Sequence, residues 1–353
     1  IALALIAWSI PAAFVVIQSL LVDTYSGWDY FEDPTVYSRY LVAIVLMIAT
    51  ERMADNRVNL LVRQFRDAQI LDAANRARFA AAIRQADKRA SSKGAELVIL
   101  LVAFIWSVAT TRLASVVSAD SWEGAIAAGE TVLSWAGDVS AFTSNALFLF
   151  LVLRWLWRFV IWASLLRKTS RFQLQIMPLH PDRCGGLGFL GIFPGIFSGV
   201  IFAFSCVVAA SFYKAAPTVG DSSQLLWLAV VVWLLLVSAI FLGPLLFFFR
   251  PLYMARERAL LEYGRLAHGH HLAFHQHWID GRKAGQEILG SADPSSLSDL
   301  NASVQTVHEM RTLPIDRPAL VQLMISAGLP LLLMAAMRMP VGELLKLIMG
   351  VLF

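Results

Sequence analysis

Seven apolar runs, each near the length needed to cross a bilayer, follow one another along this chain: residues 1–22, 36–50, 94–113, 140–165, 189–213, 225–249 and 318–337. About 20 residues of helix span the hydrocarbon core, so a chain patterned in this way has few means of burying itself in water. The second run is short and the fourth carries charge. Composition agrees: 58% of the residues are hydrophobic and 15% charged, with a mean hydropathy of +0.64, whereas a soluble domain is about one quarter charged. The expectation is an all-α, polytopic helical membrane protein with about seven transmembrane helices and a cytoplasmic helical layer.

Orientation follows from where the cations collect, because loops that stay in the cytoplasm retain an excess of Lys and Arg. They crowd the segment after the second run, from Arg52 and Arg57 to Arg89 and Lys93, and recur after the fourth as Arg167, Lys168, Arg171 and Arg183. The alternate loops are acidic, with Asp23, Asp29, Glu32 and Asp33 in one and Asp120, Glu123, Glu130 and Asp138 in another. This predicts a multi-pass protein of the bacterial inner membrane, amino terminus inside and carboxyl terminus outside. The first run lacks a small-residue cleavage signature and is read as a retained helix. A net charge of +4 and a pI near 9.2 do not imply nucleic acid, since the cations flank membrane runs. Cys184 and Cys206 are the only cysteines, and no structural disulfide is expected between them.

The chain divides into helices 1 and 2 of the membrane part (1–50), a cytoplasmic helical hairpin (51–93), membrane helices 3 to 6 (94–249), a cytoplasmic helical segment (250–317), and a seventh membrane helix with a carboxyl-terminal amphipathic helix (318–353). In the hairpin, Ala54, Val58, Leu61, Phe65 and Ala68 recur at spacings of four and three, the seam of a helix packed on another helix; Phe79 and Ile83 belong to the second arm. The segment 250–317 continues the sixth membrane helix through Met254, Leu261 and Leu266. It then breaks near 281–294 and resumes as a helix with Ser296 as expected N-cap and Asp299 in its first turn.

Four motifs bear on function. Arg154 and Arg158, in RWLWR, lie one helical turn apart. At mid-membrane they would form an anion-attracting surface; at the interface, among Trp155, Trp157 and Trp162, they would snorkel toward phosphates. His180, Asp182 and Cys184 are able to ligate a metal or move protons, while Asp182 is equally suited to cap the turn that Gly185, Gly186 and Gly188 permit; Arg183 completes the binding or pathway candidates. Gly191, Gly195 and Gly199 recur every four residues and clear one helix face for close packing, within the chain or between subunits. Five of the seven histidines crowd into AHGHHLAFHQHW, where His268, His271 and His275 share a face suited to zinc, nickel or copper or to a solvated polar surface. Phosphate-binding loops, dinucleotide fingerprints, nucleophile elbows and HExxH are absent, and no cofactor is indicated.

At RWLWRFVIW, HPDRCGGLGFLG, LGSADPSSLSDL and MRTLP the chain resembles a group of bacterial inner-membrane proteins of uncharacterised activity. The likeness extends from about Glu51 onward and implies a shared fold; the histidine-rich stretch lies outside its pattern. Three functions remain open at this point: a channel or transporter-like protein, oligomeric, anion-conducting and gated through its cytoplasmic helices; a membrane-embedded metal-dependent enzyme using His180 and Asp182; and a non-catalytic scaffold. The partners expected are membrane lipids, further copies of the chain, and an anionic ligand or protein at the cytoplasmic face.

Overall fold

In the computed structural model, residues 1–22, 25, 27–117, 121–127, 130–219, 223–281 and 293–338 are described, and they are overwhelmingly helical. The expected amphipathic helix after Pro340 lies outside them, as does most of the break between 281 and 294. Six helical stretches are long and apolar enough to cross a membrane: Ala2–Leu21, Lys93–Leu113, Trp135–Thr169, Gly188–Ala215, Trp227–Asp280 and Arg317–Met337. They correspond to six of the seven apolar runs.

The chain opens with α1 (Ala2–Leu21), which runs unbroken through Pro11. A 3-10 turn at Trp28–Phe31 leads to α2 (Pro34–Val36), whose first turn is capped by Asp33 accepting from the Thr35 amide. Without a break, a π-helical stretch (Tyr37–Ala43) passes into α3 (Ile44–Asp67). This is where the short second run sits, and its role differs from that of its neighbours. Tyr40, Ala43, Ile44 and Met47 are wholly buried, so protein rather than lipid surrounds much of it. Below Thr50 the same helix turns polar and becomes the first arm of the expected hairpin, with α4 (Ala73–Ala90) as the second.

Of the expected seam, Ala54, Leu61 and Phe65 are buried, as is Phe79 of the second arm, but the second arm packs chiefly on residues 144–169 rather than along the first. Phe65 meets Phe79 at 5.4 Å and reaches Phe189 at 4.9 Å, which ties the hairpin to the membrane part. Ala68 is exposed because the helix stops at Asp67. The hairpin tip is held by a short antiparallel bridge of Leu71 with Leu174, where the Gln175 amide donates to the Ile70 carbonyl.

Helix α5 (Lys93–Val117) turns Leu97, Val98, Leu101 and Ile105 outward, the surface a lipid-facing helix presents. A two-stranded antiparallel hairpin follows, β1 (Gly124–Ala127) with β2 (Glu130–Leu133), a small departure from the all-α expectation. Helix α6 (Trp135–Phe142), capped by Ser134, leads into α7 (Ser144–Thr169), the carrier of RWLWR.

The fifth run is not one helix. A 3-10 stretch (Gly188–Ile192), the single turn α8 (Phe193–Ile196) and α9 (Ser198–Val219) are joined at Phe197, with Pro194 in the turn that breaks it, because proline cannot donate and crowds the preceding turn. Pro244 acts likewise where α10 (Ser223–Leu242) passes through a 3-10 stretch (Gly243–Phe248) into α11 (Phe249–His275). A π turn (Gln276–Asp280) ends α11, α12 (Asp293–His308) returns along it, and α13 (Arg317–Arg338) runs straight through Pro330. Helix α12 begins at Asp293, so Ser296 is not its N-cap; the Ser296 hydroxyl donates to the Asp293 carbonyl inside the first turn.

Candidate functional site

The elbow at His180–Gly188 is built around one carboxylate. Asp182 accepts from the amides of Cys184 (2.8 Å), Gly186 (3.1 Å) and Gly188 (2.7 Å). His180 Nδ1 stands 2.9 Å from Asp182 Oδ1. Arg183, Gly185 and Gly186 have positive φ, which glycine adopts freely and other residues seldom do. Burial alone would push the Asp182 carboxyl up, but the three amide donors outweigh it and hold the group below the usual carboxylate range,. From the other side, Arg311 donates to the carbonyls of Asp182 and Ile315, its amide donates to the Arg183 carbonyl, and Arg183 pairs with Glu309 at 3.0 Å. Asp182 is thus committed to capping, and a base held ionised so firmly is a poor proton acceptor.

Arg154 and Arg158 are paired. Arg154 grips Glu51 at 2.7 Å and approaches Glu96 at 3.8 Å; Arg158 reaches the same Glu51 at 2.8 Å and also pairs with Asp55. Glu51 is one residue beyond the second run, so α3 brings it to α7 just where the apolar stretch ends. The arginines therefore serve as a clamp between α3 and α7, with their charge balanced. Arg158 also lies 5.6 Å over the Trp155 ring, a cation–π contact.

The glycine face packs within the chain. A side chain at Gly191 would meet the Asp316 backbone nitrogen at 2.9 Å, one at Gly195 the Gln322 amide oxygen at 2.6 Å, and one at Gly199 the Thr50 hydroxyl. The face thus accommodates α13, the segment leading into it, and α3.

The α11 histidines disperse toward separate partners: His270 to Ser296, His271 to Asn301 at 2.9 Å and His275 to Asp280 at 3.2 Å. Among the described residues no three His, Cys, Asp or Glu side chains group closely enough to hold a metal ion, and this includes His268, His271 and His275. Neither Arg158 nor an α11 histidine enters the hydrogen bonding of His180 and Asp182.

A different constellation lies at the opposite end of α7. A cavity of about 610 Å³ opens among α5, α7, α9 and the 35–39 stretch, lined by Thr35, Arg39, Thr110, Thr111, Ser121, Glu123, Asn145, Ser211 and Lys214 beside Trp106, Phe148, Leu149 and Val207. Lys214 pairs at 2.6 Å with the buried Asp33, which also accepts from Thr35 and from the Trp122 indole. Burial would raise Asp33, yet the hydrogen bonds from Lys214 and Thr35 prevail and keep it low. Glu123 is pushed up by burial, and the charges of Arg39 and Lys214 compensate only in part. Among the described residues, Arg39 and the Glu123 carboxylate make no hydrogen bond or ion pair.

Next to this polar cavity, and sharing Phe148, Leu149 and Val207 with it, is an apolar wedge of about 300 Å³ between α7, α9 and α10. Its walls include Trp155, Phe159, Phe197, Ile201, Val237 and Phe241. Phe159 bridges to Phe241 at 5.2 Å and Trp155 to Phe197 at 6.0 Å. Along α7, therefore, the polar cavity lies at Asn145–Leu149 and the apolar wedge at Phe148–Phe159, level with the Arg154–Arg158 clamp.

Arg39, Glu123 and Lys214 are absent from the residues singled out by sequence. Arg39 had a signal, a lone cation inside an apolar run, and Lys214 another, a lone cation just past one. Glu123 had none, since it lies in an acidic loop whose path only the fold reveals. Comparison with protein-family models, with curated proteins and with solved structures gives no match.

Proposed function

We propose that the protein is a transporter-like or channel-like multi-pass protein of the bacterial inner membrane, amino terminus inside and carboxyl terminus outside, whose pathway opens at the Arg39–Glu123–Lys214 cavity. The observation that carries this reading is the cavity itself: charged and hydroxyl side chains from several helices converge on one space in a bundle that is otherwise apolar. Ionisable groups gathered around a cavity where the apolar spans end suit the mouth of a substrate or ion route. Arg39 supplies the partner for an anionic group, the role that Arg154 and Arg158 cannot take while Glu51 and Asp55 neutralise them.

The apolar wedge below the cavity is the barrier of a closed state, since an apolar constriction excludes water and ions. Its wall residue Trp155 lies beneath Arg158, and Glu51 sits where α3 leaves the buried bundle for the hairpin. A shift of the hairpin is thereby transmitted through the clamp to the wedge, which makes the cytoplasmic helices the gate. Seven membrane helices follow if the buried 36–50 stretch is counted as the second.

Assembly as a homo-oligomer uses α11. Met254, Leu261 and Leu272 are exposed, and spacings of 7 and 11 residues return to one face of a helix with 3.6 residues per turn. Helix α12 occupies the other side, through Arg256, His270 and His271. A disulfide trap at Leu261→Cys should link copies in membranes, whereas Glu262→Cys, about 100° round the helix, should link more weakly; monomers at both positions would refute this interface. Reconstitution into liposomes tests the main reading, and no flux of any solute under any condition would overturn it.

A further inference from the structure

We propose that the polar cavity and the apolar wedge form one site for a zwitterionic amphiphile, with its anionic group on Arg39, its ammonium on Glu123 and its hydrocarbon tail in the wedge. The inference rests on the transport reading and names its substrate class.

Charge decides the head. Five ionisable side chains are in or against the cavity: Asp29 stands outside its lining and accepts from the Trp122 amide, and two others cancel, Lys214 being held at 2.6 Å by Asp33, whose carboxylate is buried and further hydrogen-bonded by Thr35 and Trp122. That leaves one cation, Arg39, and one carboxyl, Glu123. Both line the same space, and among the described residues neither has a hydrogen-bond or ion-pair partner. A ligand bearing only negative charge gains at Arg39 but is repelled by ionised Glu123, and a ligand bearing only positive charge meets the reverse. A molecule with both charges satisfies both. Arg39 suits a phosphate or carboxylate, whose oxygens match its planar fork of donors. Glu123, an acceptor when ionised, suits a primary ammonium with N–H donors better than a quaternary one with none. Thr110, Thr111, Ser121, Asn145 and Ser211 provide neutral hydrogen-bonding groups around them.

Continuity decides the tail. Phe148, Leu149 and Val207 belong to both spaces, so the polar chamber and the wedge adjoin, with apolar side chains and no polar wall between them. The deep side of the wedge is closed by buried Phe197, Ile201 and Val237, whereas Leu156 and Leu236 on its rim are exposed. That rim lies on the membrane-facing flank between α7 and α10, the side from which a hydrocarbon chain dissolved in the bilayer would enter. The wedge, about 300 Å³, is at the lower end of the range typical of small-molecule sites, and it fits one chain better than two.

The test uses the full chain in detergent micelles, offered equal amounts of lysophosphatidylethanolamine, lysophosphatidylglycerol and lysophosphatidylcholine, with retention read by native mass spectrometry. The expected order places the primary-amine zwitterion about tenfold above the anionic lipid, with the quaternary amine between. Glu123→Gln should abolish the preference, Arg39→Gln should lower retention of all three because each head carries a phosphate, and Val237→Trp, which fills the wedge, should lower retention of all three as well. Glycerophosphoethanolamine, the head without a tail, should not be retained. Equal retention of the three heads by the unaltered protein, or a preference for the anionic lipid, overturns the proposal without recourse to any variant. Because the assay has no gradient, selective retention with no flux in liposomes would leave the ligand class standing and refute transport; flux of inorganic ions with no lipid preference would do the opposite.

Discussion

Asp182 and Glu123 are both partly sheltered carboxyls, and their surroundings drive them in opposite directions. Asp182 is surrounded by amide donors, and its folded-state pKa is depressed. Its contribution to stability is therefore present above the unfolded carboxylate pKa and is lost as pH falls through the lower folded value. Glu123 is raised, so the stability linked to it is present below its unfolded pKa and is lost as pH rises through the folded one. Two outcomes follow. Asp182→Ala should cost about 2 kcal/mol at neutral pH, the scale of a lost cap with charge-assisted bonds, seen as a lower thermal midpoint in detergent; an unchanged midpoint would show that the amides find other acceptors. Glu123→Gln should raise the midpoint at about pH 8 and leave it unchanged at about pH 3, where the carboxyl is protonated in both folded and unfolded chains. A stabilisation equal at both values would mean that charge is not the cause.

At the scale of single elements, the broken fifth run separates packing from signalling. The glycine spacing of four was legible in the sequence, but not its partner: a spacing tells that something approaches closely and is silent on whether it comes from the same chain. Gly191→Ala meets backbone at Asp316 and should destabilise by about 1–3 kcal/mol. Gly195→Ala meets only the tip of Gln322, which can rotate away, so a loss well under 1 kcal/mol is expected. Equal losses in denaturation midpoints would contradict the packing described. The hairpin seam was legible for a similar reason, since Ala54, Leu61 and Phe65 repeat within one helix. The β1–β2 pairing was not, because a two-stranded ribbon of four residues a side carries no long-range pattern. The Arg154–Arg158 pairing was missed by one residue, as the apolar run ends at Thr50 and Glu51 follows it. Glu51→Gln leaves two cations sharing Asp55 and Glu96, and a loss of about 1–2 kcal/mol is expected, less than for a fully buried pair because each partner retains some contact with solvent. Arg154→Gln in the same background should recover part of it.

On the scale of the whole molecule, what the sequence made plain was a set of helices long and apolar enough to cross a membrane; what it concealed was the interior. Apolar runs report how long a helix is, not which charged residues of distant segments will face one another. Arg39, Glu123 and Lys214 come from three segments more than 80 residues apart and meet only because 34–67, α7 and α9 close around a common space. The central claim is that this space is the mouth of a solute pathway. It is tested most directly by flux into proteoliposomes loaded with the full chain, comparing the unaltered protein with Arg39→Gln and with Arg167→Gln as a surface control outside the cavity. The account predicts uptake of a labelled lysophosphatidylethanolamine that falls about tenfold or more in Arg39→Gln, the loss expected when a charged partner of the solute is removed, and is unchanged in the control. Equal uptake by all three proteins would contradict it, and so would the absence of flux of this and every other solute offered.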